Sequence, residues 1–177
     1  FNKMINEKSI SLRSLEFEDL PKLRDWRNME HVKKSTREYR LLNMINQEKW
    51  FESIHTTSSN VIMFGIIKNK KLIGVTGLTY IDWKNRHAEI SIYINKKNWQ
   101  KTLDAKDTLF TIMKYGFGEL NLHRLWVEIF ETTTENIILF KKMKFVYEGT
   151  SRQKLWRNNK WWNSQFYSIL SKEFKDE

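Results

Sequence analysis

The chain has 177 residues and a net charge of +10, from 31 Lys and Arg against 21 Asp and Glu, and it contains no cysteine. That length suits one domain over residues 1–177 with a single core. The lack of cysteine excludes disulfides, a cysteine nucleophile, iron–sulfur clusters and cysteine-containing zinc sites. No apolar run approaches the ~20 residues of a membrane span, and the opening FNKMINEKSI lacks the apolar stretch of a signal peptide, so the reading is a soluble, cytoplasmic protein with no membrane partner. The positive balance favours an acidic partner such as nucleic acid, a phosphorylated coenzyme or a nucleotide-linked substrate, and describes an ordinary lysine-rich surface equally well.

Residues 10–15 read as a strand. Asp19 followed by Pro21 opens a helix to about residue 30, because aspartate caps free amides and proline fits a first turn. Residues 31–43 have no clean period, and a second helix opens at Asn46 with Trp50, Phe51 and Ile54 inward. VIMFGIIK, an Asn69-Lys70 turn and LIGVTGLTYI form a hairpin, with Gly74 and Gly77 weakening or bulging its second strand. AEISIYI then alternates strictly: Ala88, Ile90, Ile92 and Ile94 face one way, Glu89, Ser91 and Tyr93 the other. After Thr102, Leu109, Ile112, Met113, Gly116, Phe117 and Leu120 keep a helical period. LWVEIF is a strand, and residues 133–143 are a helix with Ile137, Phe140 and Met143 inward. Strands over about 146–156 and 161–170 are joined by a turn at Arg157-Asn158-Asn159-Lys160. The order is that of a mixed α/β domain built on one sheet.

Over residues 10–172 these strings resemble the GNAT N-acetyltransferase superfamily. AEISIYI resembles its central strand, Asn121-Leu122-His123-Arg124-Leu125 the link into the next strand, and LFKKMKF the helix that ends in leucine, tyrosine, lysine, glycine and phenylalanine. Trp26-Arg27-Asn28 and Gln47-Glu48-Lys49-Trp50-Phe51 resemble the branch with ribosomal-protein N-terminal acetyltransferases and acetyltransferases of nucleotide-linked amino sugars. The resemblance implies a GNAT fold, a single mostly antiparallel twisted sheet of about seven strands flanked by about four helices. It also implies acetyl-CoA as cofactor, a primary amine as acceptor, direct transfer in a ternary complex, and a homodimer as the common assembly of that branch.

The resemblance further implies roles for particular residues. Unpaired backbone groups around Ile92, Tyr93 and Ile94 bond the pantetheine and polarise the thioester carbonyl. Gln100, Lys101, Thr102, Leu103, Asp104 and Ala105 form the pyrophosphate loop at a helix N-terminus. Glu89 is the candidate general base, directly or through a water, and Tyr93 is a second candidate catalytic group on the same face. His87 shares that face as a further proton-transfer candidate. Periodicity alone favours reading the row Glu89, Ser91 and Tyr93 as the polar outer face of a half-exposed strand. Thr133 takes the cofactor-binding position where the family helix has asparagine. Phe140 takes the tyrosine position and cannot donate a proton, so the departing thiolate takes its proton from another group or from water. Leu103 replaces the loop's central glycine, and the expectation is that its side chain restricts close approach to the pyrophosphate. Asp104 would add a repelling charge that Lys101 and Lys106 offset.

On the acceptor side, the cleft is expected between the first two helices, the irregular segment and the last hairpin. Arg37, Tyr39 and Arg40 are its candidates, because two arginines flanking a tyrosine can bond phosphates and stack on a base, as a nucleotide sugar requires. An ordinary loop with dispersed charge is the alternative. The leading function is therefore acetylation of a small polar amine, with a nucleotide-linked amino sugar preferred. The alternatives are acetylation of a protein N-terminus, and a catalytically degenerate basic module that binds nucleic acid or another acidic partner. Residues 156–162 mix tryptophan with cations, as single-stranded nucleic acid would need, but read better as a hairpin whose tryptophans bury against the sheet.

Overall fold

The computed structural model describes residues 4–176. Strands β1 (Ile5–Glu7) and β2 (Ile10–Ser14) lead through a 3₁₀ turn into helices α1 (Leu20–Asn28), α2 (Glu30–Lys33) and α3 (Met44–Ile54). Strands β3 (Ile62–Lys68), β4 (Lys71–Asp82) and β5 (His87–Ile94) form a meander. Helix α4 (Leu103–Lys114), β6 (Arg124–Phe130), α5 (Thr134–Lys142), β7 (Val146–Arg157) and β8 (Lys160–Leu170) complete the chain. The described residues thus form one sheet of eight strands in the order β1-β2-β3-β4-β5-β6-β8-β7. The strand beyond the expected seven is β1, three residues long and paired with β2.

Local chemistry explains the frame. Asn69 and Lys70 have φ of 49° and 63°, and Asn158 and Asn159 have 52° and 57°, so both hairpins close on two left-handed residues that match the twist of their strands. Helix α3 starts two residues earlier than its apolar period indicates, because Asn43 and Asn46 cap each other's backbone amides. Asp19 does not cap α1. Its carboxylate is taken by Arg13, at 2.7 and 2.9 Å, and by the amide of Glu16.

The larger core lies between the sheet and helices α4 and α5, around Leu78, Ile90, Leu109, Ile112, Leu125 and Phe140. A second cluster on the opposite face joins Leu15, Leu23, Trp26, Val32, Val75 and Tyr93 under α1 and α2. Gly74 fits because β4 runs close to β5: a Cβ there would lie 2.3 Å from the Tyr93 carbonyl oxygen. The expected irregularity is present, with a register shift in the β3–β4 ladder that passes over Ile73.

Candidate active site

Strands β5 and β6 are the one parallel pair in the sheet, and their ladder has only three rungs, from His87↔Arg124 to Glu89↔Trp126. Beyond Glu89 the strands separate. The amide of Asn95 donates to Ile73, which sets the alternation along β5: odd-numbered residues exchange backbone hydrogen bonds with β4, and even-numbered ones face β6. The N–H groups of Ile92 and Ile94 therefore point into the gap. This narrows the expectation for three consecutive residues, because the backbone of Tyr93 is paired with Val75. The Tyr93 ring is buried in the second apolar cluster, and burial pushes its phenol well above the ordinary tyrosine range.

A cavity of about 750 Å³ opens at this gap, lined by the 35–40 segment, α3, β4, β5, β6 and Phe140 of α5. Glu89 lies at its base and is 6% exposed, so the face that alternation marks as polar is turned into the cleft and not to bulk water. Arg37 Nη2 donates to both Glu89 oxygens, at 3.0 and 3.1 Å, and to Glu128 Oε2 at 2.7 Å. The other Glu128 oxygen accepts from Ser164 Oγ at 2.8 Å and from Lys154 Nζ at 2.6 Å. Two buried carboxylates thus share one guanidinium, and their surroundings drive them apart. Burial pushes the Glu89 carboxyl above its ordinary value, against the pull of Arg37. Burial acts the same way on Glu128, but hydrogen bonds from Lys154, Arg37 and Ser164 outweigh it and hold that carboxyl low.

The segment that carries Arg37 is pinned from several sides. Arg157, the last residue of β7, donates to the carbonyls of Lys33 at 3.1 Å, Lys34 at 2.9 Å and Thr36 at 3.0 Å. Thr132 Oγ1 adds a bond to the Lys34 carbonyl, and the Asn28 side chain clamps both backbone groups of Leu42 at 2.8 Å. Arg37 and Arg40 are both paired with carboxylates of this chain. Arg37 is engaged by two carboxylates, and Arg40 forks onto Glu38 at 2.8 and 2.9 Å. Tyr39 stands at the rim, 81% exposed. His87 lies 3.6 Å from Asp82, at the far end of β5 from the gap.

The loop before α4 puts no left-handed residue at the position of the family's glycine. Leu103 is the first residue of the helix, has no positive φ and turns its side chain outward, while the left-handed residue is Asn98, with φ of 55°. Asp104 is neutralised by Lys68 Nζ at 2.6 Å, not by the expected Lys101 or Lys106. Thr102 caps α4 by accepting from the Ala105 amide at 3.3 Å, which leaves the Leu103 and Asp104 amides at the helix start. Gln100 is buried and donates to Asn136 of α5 at 2.8 Å. Thr133 is fully buried, with its hydroxyl donated to the Phe130 carbonyl at 3.0 Å, so its side chain is turned away from the cleft; Asn136 lines it instead. Phe140 packs edge-on against Phe145. On the last hairpin, Trp156 and Trp161 pack on each other and stay more than half exposed, contrary to the expectation that they bury.

Sequence reasoning missed Glu128, Lys154, Ser164, Arg157 and Asn136. One of them left a signal: LWVEIF puts a single charge among the apolar positions of a strand that pairs on both sides, where an unpaired charge is costly.

A family model described as the acetyltransferase (GNAT) domain matches residues 12–166. The chain belongs to the GNAT acetyltransferases. It is 31% identical over 142 residues to the uncharacterized N-acetyltransferase YoaA of Bacillus subtilis (strain 168), covering 76% of this chain and 80% of that one. It is 26% identical over 105 residues to the spermidine N(1)-acetyltransferase of Vibrio cholerae, covering 59% and 60%. A crystal structure of spermidine N-acetyltransferase from Vibrio cholerae with CoA and spermine superposes with a TM-score of 0.86 at 22% identity, over 94% of this chain and 98% of that one. The chain is an acetyl-CoA-dependent N-acetyltransferase. No helix among the described residues is long and apolar enough to cross a membrane.

Proposed function

We propose that this GNAT enzyme acetylates the primary amine of a small polar acceptor in the cleft between β5 and β6, with Glu89 as the general base. The observation that carries this reading is a buried carboxylate of raised proton affinity lining the cleft, on the same strand as two backbone amides, Ile92 and Ile94, that face an open gap. Acetyl-CoA supplies an activated acetyl thioester. The Ile92 and Ile94 amides would bond the cofactor along the gap and polarise its carbonyl. The Leu103 and Asp104 amides, at the positive end of a 12-residue helix, suit its pyrophosphate.

An ammonium acceptor must lose a proton before its nitrogen attacks. A carboxylate whose pKa burial has raised is a better base than an exposed one, and Arg37 keeps Glu89 ionised enough to serve. Glu128, held low by three donors, stays anionic and fixes Arg37 in place. Glu89 would take the ammonium's first proton and pass it to solvent before attack; the nitrogen's second proton would be released as the C–N bond forms and the C–S bond breaks, and with one proton taken up by the thiolate the reaction releases one proton net. The thiolate leaves and takes a proton from water, which its moderate basicity permits.

The test is Glu89→Gln, with CoA release followed under saturating acetyl-CoA. Turnover lowered about 10²-fold or more, with acetyl-CoA affinity within a few-fold of wild type, is the expected result. Unchanged turnover across pH would make Glu89 a structural residue.

A further inference from the structure

Arg27 is the one arginine of the cleft that the network leaves over. It sits in the last turn of α1 and lines the main cavity. Among the described residues its guanidinium takes part in no salt bridge, and its Nε is buried without a hydrogen-bond partner. The same side chain also lines a second cavity. The Glu38 carboxylate forks onto Arg40 and forms no hydrogen bond or salt bridge with Arg27. The second cavity, of about 320 Å³, adjoins the first and shares Arg27, Glu38, Arg40 and Trp50 with it. Its lining holds three cations, Arg27, Arg40 and Lys49, against the single carboxylate of Glu38. An unpaired guanidinium beside a cavity of positive excess calls for an anion, since its planar fork matches a carboxylate or a phosphate.

We infer that the acceptor carries an anionic group, a carboxylate or a phosphate, which docks on Arg27 in the second cavity while its amine reaches Glu89. This inference rests on the acceptor cleft assigned above and narrows the class of amine. It gives Arg27 of the Trp26-Arg27-Asn28 string a task beside those of its neighbours, since Trp26 packs in the core and Asn28 clamps Leu42. It also sets the chain apart from a site for polyamines, whose several positive charges would meet Arg27, Arg40 and Lys49.

The experiment compares matched amines: phosphoethanolamine against ethanolamine, and β-alanine against β-alaninamide, with spermidine as a cationic control. Binding to the CoA-loaded protein is read by calorimetry, and acetyl transfer by CoA release from acetyl-CoA. In the wild type, one amine that carries an anionic group is expected to exceed its partner without that group at least about tenfold in affinity and in kcat/KM. Which pair shows the difference tells phosphate from carboxylate. Arg27→Gln should collapse that ratio toward one, and Arg27→Lys should retain part of it, with thermal melts confirming that both variants fold. A ratio near one in the wild type, a preference for spermidine, or a ratio untouched by Arg27→Gln would each overturn the subsite. Discrimination in binding with no acetyl transfer would instead count against the transferase cleft while leaving the subsite standing, so the two failures are separable.

Discussion

Glu89 and Glu128 lie on neighbouring strands with Arg37 between them, and one further donor set, Lys154 with Ser164, binds Glu128 alone. That asymmetry makes one carboxylate a base and the other a fixed anion. Arg37→Gln should remove the attraction that opposes burial at Glu89 and raise its proton affinity further, so the acidic limb of the kcat/KM–pH profile should move to higher pH. A limb that stays in place would show that Arg37 does not control the base. Linkage gives a separate reading of the same residue. A carboxyl whose folded pKa is raised favours the fold most when protonated, and that contribution is lost as pH rises from the ordinary value of 4.5 through the raised one. Glu89→Gln should therefore gain stability relative to wild type as pH rises through that window, measured by denaturant unfolding at a series of pH values.

At the scale of elements, the site depends on how β5 parts from β6 and on what holds the 35–40 segment over the opening. Gly74 allows β4 to lie against the Tyr93 backbone, so Gly74→Ala should push β5 toward the gap, costing about 1–3 kcal/mol of stability and weakening acetyl-CoA binding. Arg157 joins the last hairpin to the 33–36 backbone through three carbonyls. Its replacement by Gln should raise the acceptor KM several-fold more than it changes the KM for acetyl-CoA, in steady-state kinetics that vary each substrate in turn.

The strands and hairpins were legible because their causes are local: strict alternation over AEISIYI, and asparagine or lysine pairs at both tight turns. Alternation put Glu89 on the face that lines the cleft, and its choice as base rests on the family resemblance. The pairing of Arg37 was not legible, because it lies 52 residues from Glu89 and 91 from Glu128 along the chain and reaches them from the irregular 35–40 segment only in the folded chain. The cation beside Asp104 was not legible, because Lys68 comes from β3, 36 residues away along the chain. The two-helix opening hid the four-residue α2, whose sequence EHVK carries too short a period to read.

For the molecule as a whole, several carboxyls are held low by partners. Asp19 and Glu128 are held down by hydrogen bonds and cations that overcome burial, and Glu38 is held to about 2 by its hydrogen bonds with Arg40. Such groups stabilise the fold above their ordinary values of 3.8 to 4.5, and that stability is lost as pH falls through their lowered folded values. Acid unfolding should therefore set in below about pH 4, seen in circular dichroism along a pH titration. The net charge of +10 acts at longer range by favouring an anionic cofactor, an attraction that weakens as salt screens it.

The measurement that tests the account most directly is a calorimetric titration of acetyl-CoA into the wild type and Glu89→Gln. The geometry of the gap and of the Leu103–Asp104 helix start predicts micromolar binding that is nearly equal in the two proteins, with affinity falling as salt rises. No detectable binding by the folded wild type would contradict the assignment of this cleft.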